Sequence, residues 1–391
     1  MKLLYINDEL ATGDGSNSHA VGMLSAFKKL IGAENVKSYP EAENGSEKPV
    51  SHGANKLKSK LKGPLAFVRF FRKKYLSVKR SKLIIEKFES ESFIPTHVLA
   101  RSTDFDVTAI YVAKHFNAKL IYEVNTPMFY ERGVIKKEPM IKALENWEKK
   151  IISASDYVYV VSNVCRDMLC DHYGVSKDKF IVVPNGYMAD LYTENDEERE
   201  KIRQEIRIKE GIEDKFVIIF VGSLKVWHGI KTFCDTAELI QKDKDVCFLV
   251  LGDGEMHDMI ADYATRHSNM IFKGKVSLEV MKQYLYASDL GIMPYAKQDN
   301  FYYSPLKMYD MIGAGLPFIG TAVGQIEEFG NEGLSKSFLL PDNSISAMAN
   351  AIQRLKPHKT ELNDMLKIVK SQSGKCTWYL RAESLIAQIN G

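Results

Sequence analysis

Residues 216–230 read FVIIFVGSLKVWHGI. The apolar run from Phe216 to Val221 is too short for a helix and rich in the β-branched and aromatic residues that suit a strand buried on both faces. Gly222 ends it, Lys225 and His228 follow in one loop, and a helix is expected from Gly229 or Ile230. A strand that passes through a glycine turn into a helix is half of a βαβ unit, from which parallel sheets are built. Working outward, the same alternation predicts strands at 2–6, 97–100, 119–123, 157–161 and 180–183 before this point, and at 246–251, 270–272, 290–293 and 317–320 after it. The fold class is therefore α/β, with two doubly wound, Rossmann-like groups of strands separated near Pro184-Asn185-Gly186. The expected domain bounds are 1–190 and 191–374, with 375–391 as an amphipathic closing helix.

Length and composition agree with this. A chain of 391 residues, 45% hydrophobic and 26% charged, is long enough for two cores. The opening MKLLYIND is too short an apolar run for a secretion signal, and nothing approaches the ~18 apolar residues of a membrane span, so a cytoplasmic, non-integral protein is expected. Cys165, Cys170, Cys234, Cys247 and Cys376 form no CxxC and stand near no His pair at ligand spacing, so they read as buried free thiols, and no metal is expected. Net charge is only +3 but uneven: twelve Lys and Arg and no acid fall between Lys48 and Lys82, which leaves −9 on the remaining residues. Within that stretch KGPLAFVRFFRKKYLSVKR (62–80) interleaves Phe67, Phe70, Phe71 and Tyr75 with Arg69, Arg72, Lys73 and Lys74. Such a basic helix suits an anionic membrane surface, each cation adding ~1 kcal/mol, while a solvated helix with its aromatics packed inward fits the same pattern. Nucleic acid is not expected as a partner, because the rest of the chain is net negative.

In open α/β sheets ligands bind beyond the carboxyl ends of the strands, so the loops there carry the candidate chemistry. After the first strand, NDELATGDGSNSHA (7–20) sets Gly13 and Gly15 before a helix, a place where an anion can approach the backbone. Ser18 stands where a dinucleotide fingerprint needs its third glycine, and in LGDGEMH (251–257) His257 does the same, so NAD is not expected. Lys225 and His228, ahead of a helix start, offer charge-assisted bonds to a diphosphate. In FYYSPLKMYDMIGAGLPFIG (301–320) a helix that begins between Ser304 and Leu306 leaves amides free to hold a phosphate. Asp310, one to two turns on, can accept bonds from ribose hydroxyls.

Taken together, FVGSLKVWHG (220–229), LVLGDGE (249–255), IFKGKVS (271–277), ASDLGIMPY (287–295), the 301–320 stretch and VGQIEEF (323–329) occur in an ordered series. In order and spacing they resemble the C-terminal half of the retaining glycosyltransferases of family 4. IYEVNTP (121–127), VYVVSNVCRDML (158–169) and IVVPNG (181–186) are similar to the N-terminal half. The resemblance covers nearly the whole chain except about 40–95. It implies the GT-B fold: two facing Rossmann-like domains, a central cleft, and a last helix, here CTWYLRAESLIAQIN (376–390), that crosses back to the first domain. It also implies a hexosyltransferase that moves a sugar from a nucleotide-sugar, most often a UDP-sugar in this family, to an acceptor hydroxyl of a glycan or glycolipid. Retention is implied, and neither a metal nor another cofactor.

The donor site that the resemblance implies begins with Gly15 and with Gly222, Ser223, Lys225 and His228 around the diphosphate. Lys275 and Val276 would lie against the base, and Tyr302, Ser304, Pro305, Leu306, Lys307 and Asp310 complete the site. The second glutamate of the family's acidic pair falls on Asp310, which keeps a carboxylate, but the first falls on Tyr302. The usual Arg and Lys fall on Ser223 and His228, so Lys225 is taken as the replacement cation, as in a subgroup with the signatures GSLKxWHG and SPLK. Asn125 falls where the family often has a histidine near the reacting sugar. Asn is no base, so Lys225, His228 and Asn125 are assigned to catalysis with Asn125 only orienting groups. Family members with lipid-linked acceptors dock through a basic surface, which would put Phe70, Arg72, Lys73 and Lys74 on the acceptor or membrane side. Two other readings stay open: a non-catalytic GT-B partner subunit, favoured by Tyr302 and Ser223, and a nucleotide-sugar epimerase, for which the chain offers few acidic pairs.

Overall fold

The computed structural model describes residues 1–11, 15–41, 65–101, 103–331 and 336–390. The chain divides into two compact units, Met1–Pro184 with Arg381–Gly391, and Asn185–Leu380. The first unit contains strands β1 (Leu3–Ile6), β2 (Val36–Tyr39), β3 (His97–Arg101), β4 (Lys119–Val124), β5 (Tyr157–Val160) and β6 (Phe180–Val182). They form one parallel sheet in the order β2-β1-β3-β4-β5-β6. The second contains β7 (Phe216–Val221), β8 (Val246–Leu251), β9 (Met270–Phe272), β10 (Leu290–Met293), β11 (Phe318–Thr321) and β12 (Leu339–Leu340), parallel in the order β12-β11-β10-β7-β8-β9.

The stretch 216–230 begins with β7, in the middle of the second sheet. β7 pairs with β8 from Phe216 opposite Val246 to Val221 opposite Leu251, and Val217, Ile218, Ile219, Phe220, Phe248, Leu249 and Val250 are inaccessible to water. Burial on both faces is what an unbroken apolar strand requires, and the helices between strands supply the cover. Two strands escape the sequence reading, and both are sheet edges. β2, VKSY, buries only alternate residues, and β12 is two residues long, so neither carries the continuous apolar signal of a central strand.

The charged stretch ahead of β7 forms the helix Asp196–Glu210. The Asn195 side chain accepts from the amides of Glu197 and Glu198, three acids occupy the first turn, and Gly211 ends the helix in the left-handed region at φ 66°. Arg207 of this helix reaches Asp289 at 2.6 Å, and the same carboxylate accepts from the amide of Val217 at 2.7 Å, which ties helix to sheet. All five cysteines are free and buried.

Each sheet reverses its direction of growth once. In the first unit the reversal lies between β1 and β3, and in the second between β7 and β10. Loops leaving such neighbours diverge to opposite faces and open a crevice at the carboxyl ends of the strands, the usual seat of a ligand in this architecture.

Candidate functional site

At the reversal point of the second sheet, the loops after β7, β8 and β9 are laced by their backbones. The amide of Gly222 donates to Leu251, that of Leu224 to Asp253, that of Met256 to Leu224 and that of Gly252 to Gly274, all between 2.8 and 3.1 Å. The glycines exist for this contact. At Gly252, φ 144°, an added Cβ would run into the carbonyl of Gly222, and at Gly229, φ 73°, into that of Pro294. The space is filled by the neighbouring loop, so Gly222 serves close packing of loop on loop as well as any ligand.

His228 is buried within this lattice. Its Nδ1 donates to the Ser223 carbonyl at 2.6 Å, which fixes the tautomer and leaves Nε2 as an acceptor. Burial, with the charges of Lys307 and Lys225 added, pushes its pKa down to about 3 against the pull of that hydrogen bond. His228 is thus a neutral imidazole and not a second cation. Lys225 is exposed, with Nζ 5.7 Å from the centre of the Trp227 ring. Lys275 is exposed and Val276 half-buried in the loop after β9.

Between β10 and the helix Leu306–Ala314 the chain is rich in aromatics. Trp227 stacks on Tyr303 at 4.8 Å, and Tyr302, fully buried, donates its hydroxyl to that of Tyr303 at 2.9 Å. Ser304 is held at both ends by Asn185, whose amide donates to Oγ at 2.9 Å and whose Nδ2 donates to the carbonyl at 2.6 Å. Pro305 caps the helix, so Leu306 and Lys307 open it with amides that have no intrahelical acceptor. The Lys307 side chain turns inward and is buried, with no hydrogen-bond partner for Nζ among the described residues. Asp310 is half-buried and accepts from the Tyr192 hydroxyl at 3.1 Å; burial pushes its carboxyl up to about 7 despite that bond.

The first unit has its own polar site at its reversal point. A cavity of about 260 Å³ lies at the ends of β1, β3 and β4, lined among others by Asn7, Glu9, Arg101, Asn125, Met128 and Arg132. Asn125 donates from Nδ2 to Glu123 at 2.7 Å, while its Oδ1 is buried without a hydrogen-bond partner among the described residues. Glu123, wholly buried, also receives the Tyr5 hydroxyl at 3.0 Å, with the His19 Nε2 at 3.1 Å and Arg101 at 3.4 Å. Burial alone would raise its pKa, but His19, Arg101 and the Tyr5 bond outweigh it and hold the carboxylate near 2. Asn7 in turn donates to the Tyr5 oxygen at 2.7 Å. The sequence reading named Asn125 but not Glu123, His19, Tyr5 and Arg101, which meet only when four segments are brought side by side. An acid inside the apolar run LIYEV was the one available signal.

Gly15 opens the helix Gly15–Ile31, and Gly13 lies outside the described residues. Of the basic stretch, residues 48–64 and the Phe70 side chain lie outside the described residues. On the helix Leu65–Ser90, Arg72 and Lys74 are exposed, together with Phe71, Tyr75, Leu76 and Leu83, whereas Lys73 is half-buried and paired with Asp104 of the cavity rim. Among the described residues no helix is long and apolar enough to cross a membrane, and no three or more His, Cys, Asp or Glu gather as a metal site.

Residues 215–356 match the family model described as glycosyl transferases group 1, and residues 50–190 match that of glycosyltransferase family 4. Both halves of the chain carry glycosyltransferase domains. Among curated proteins, a putative teichuronic acid biosynthesis glycosyltransferase of Bacillus subtilis is 28% identical over 182 residues, 46% of this chain and 44% of that one. The chain thus aligns with less than half the length of that relative. Among solved structures, Anabaena HepE in complex with UDP and glucose superposes with a TM-score of 0.68 at 16% identity, over 100% of this chain and 99% of the other. Sucrose-phosphate synthase from Thermosynechococcus elongatus gives 0.69 at 15% identity, over 100% and 98%. These glycosyltransferase domains therefore have the GT-B fold, built from two Rossmann-like units.

Proposed function

We propose that this chain is a retaining glycosyltransferase that uses a nucleotide-sugar, held by the second unit, and an acceptor hydroxyl brought by the first. The observation that carries the reading is the start of the helix Leu306–Ala314. Two unengaged helix amides, a buried lysine and the loop after β7 meet at the reversal point of the sheet, where an anion is favoured by dipole and charge alike. Asp310 would accept from the ribose hydroxyls, and Lys275 with Val276 would flank the base. UDP is the donor nucleotide favoured by likeness, since HepE is solved with UDP and with UDP-glucose.

In the reaction so proposed, the bond from the anomeric carbon to the diphosphate oxygen breaks and the acceptor oxygen bonds to that carbon from the same face. The acceptor's proton passes to the leaving phosphate oxygen. His228 is neutral and faces the Ser223 carbonyl, and Asn125 is no base, so neither is assigned the proton. The charge that develops on the diphosphate is met by lysine and by helix amides, an arrangement that assigns no role to a metal. The acceptor is read as a hydroxyl-rich glycan or glycolipid, and the basic face of Leu65–Ser90 as its route to an anionic lipid surface on the cytoplasmic side.

A non-catalytic GT-B subunit is the second reading, favoured by the fully buried Tyr302 where the family pattern has an acid. One experiment weighs both. Thermal unfolding is followed with UDP, GDP, ADP and CMP at millimolar concentration, with and without EDTA, and donor turnover is then assayed with the matching nucleotide-sugar. One nucleoside diphosphate is expected to raise the midpoint, by the logarithm of its saturation, with no effect of EDTA. Stabilisation without turnover on any acceptor would favour the second reading, and no stabilisation by any of them would reject the first.

A further inference from the structure

Lys307 poses a problem of charge. It is 7% exposed, its Nζ has no hydrogen-bond partner, and no carboxylate pairs with it among the described residues. Nζ sits 4.1 Å from the centre of the Phe220 ring and 5.3 Å from that of Tyr295, and these ring faces offset only part of the lost hydration. Above it is Gly222, where even a methyl group would stand 3.2 Å from Nζ, so backbone and not side chain roofs the amine. The neighbouring histidine, His228, is neutral, and Lys225 is outside the buried shell.

An unpaired amine at the first turn of a helix wants an anion, and the helix start wants the same one. We propose that the Lys307 ammonium, under Gly222 and beside the amides of Leu306 and Lys307, is the cation that receives the donor's diphosphate and the charge it gains on leaving. The proposal rests on the glycosyltransferase reading and adds to it a residue whose side chain the motif reading did not use. Lys225, at the surface, becomes the outer of two cations, and Lys307 the inner.

The ligand-free amine is held down near 7 by its burial. The titratable groups about it are His228 and Lys225 on the loop after β7 and Tyr295 on the loop after β10, while Asp310, one turn along its own helix, is engaged by Tyr192. None supplies a compensating negative charge. A diphosphate does, so at pH 8 its binding is accompanied by uptake of about one proton at Lys307.

The test is calorimetric titration of the wild-type protein, Lys307→Met and Lys307→Arg with UDP, GDP, ADP, uridine and inorganic pyrophosphate, at pH 8 in two buffers of different ionisation enthalpy. For the nucleotide that binds, Lys307→Met is expected to weaken affinity ~30-fold, the loss of one charge-assisted contact, with nucleoside binding unchanged. Proton uptake disappears in the same variant, and Lys307→Arg retains most of the affinity. The ligand-free Lys307→Met protein melts no lower than wild type, because a buried unpaired amine has been removed; a merely structural lysine would give the opposite. Diphosphate affinity within twofold of wild type in Lys307→Met, or no proton uptake by the wild-type protein, overturns this assignment alone. Failure of all three nucleoside diphosphates and pyrophosphate to bind the wild-type protein overturns it together with the glycosyltransferase reading. Proton uptake is read on the unaltered protein, so a variant that fails to fold leaves the test intact.

Discussion

Glu123 is the side chain on which the first unit's site is built. A wholly buried carboxylate is tolerated only if its lone pairs are filled, and here Tyr5, Asn125, His19 and Arg101 fill them. Because a carboxylate only accepts, the Asn125 amide must turn its NH2 toward Glu123 and its oxygen away. Glu123→Gln removes the charge while keeping the shape, leaving Arg101 short of a partner, and a loss of ~3 kcal/mol at pH 7 is expected by urea denaturation. The native carboxyl is held near 2, below its unfolded value, so this stability is present above about pH 4.5 and is lost as pH falls toward 2. The gap between wild type and variant should therefore close across that window; a gap constant from pH 7 to 2 would contradict the network. Asp310 carries the opposite sign. Its native carboxyl is raised to about 7, so it favours folding below its unfolded value and costs stability as pH rises through 7. Asp310→Asn should stabilise the ligand-free protein at pH 8, equal wild type near pH 4, and reduce the preference for UDP over its 2′,3′-dideoxy analogue, the last measured by competition calorimetry.

The second unit's site depends on how closely three loops approach. Gly252→Ala sets a Cβ against the Gly222 carbonyl at a φ of 144° that side chains rarely adopt, so the loops after β7 and β8 must separate. A loss of ~3 kcal/mol, or roughly 6–12 °C in the melting midpoint, is expected, along with weaker diphosphate binding, whereas Gly374→Ala, with open space at its Cβ, should leave both unchanged. The strands and helices that carry these loops were legible in the sequence because apolar period, caps and glycines are local signals. β7 announces itself in six residues. What could not be read is whatever depends on packing between distant segments. Lys307 and Asp310, as letters, look like ordinary polar residues of a short helix, and only the fold shows one amine buried over Phe220 and one carboxyl bound to Tyr192. His228 looks like a cation beside Lys225 until the Ser223 carbonyl and burial make it neutral. Glu123, His19, Tyr5 and Arg101 come from β4, a helix, β1 and β3, and no spacing rule links them.

For the whole molecule the decisive asymmetry is charge. The twelve cations between Lys48 and Lys82 stand against a sum of −9 on the remaining residues, so basic charge is concentrated in one stretch of the sequence. Where that stretch is described, on the helix Leu65–Ser90, apolar and basic side chains share the outside: Phe71, Tyr75, Leu76 and Leu83 are each about half exposed, beside Arg72, Lys74, Lys79 and Lys82. Ser77, Ser81, Ile84 and Phe88 are buried, so the aromatics at 71 and 75 are not the ones that hold this helix to its sheet. Leaving such rings in water costs free energy unless a surface takes them up, and an anionic lipid surface would take rings and cations together. Flotation with vesicles of anionic and of neutral lipid distinguishes this from a solvated helix. The protein should float with anionic vesicles at low salt, be released as salt shortens the screening length to about 8 Å and below, and ignore neutral vesicles. Replacing Phe71 and Tyr75 by Ser should reduce flotation at constant charge, with the melting midpoint changed little because both rings are more than half exposed. Equal flotation of that variant would leave charge alone as the cause, and no flotation of the wild-type protein at low salt would remove the membrane from the reading while leaving the nucleotide site untouched.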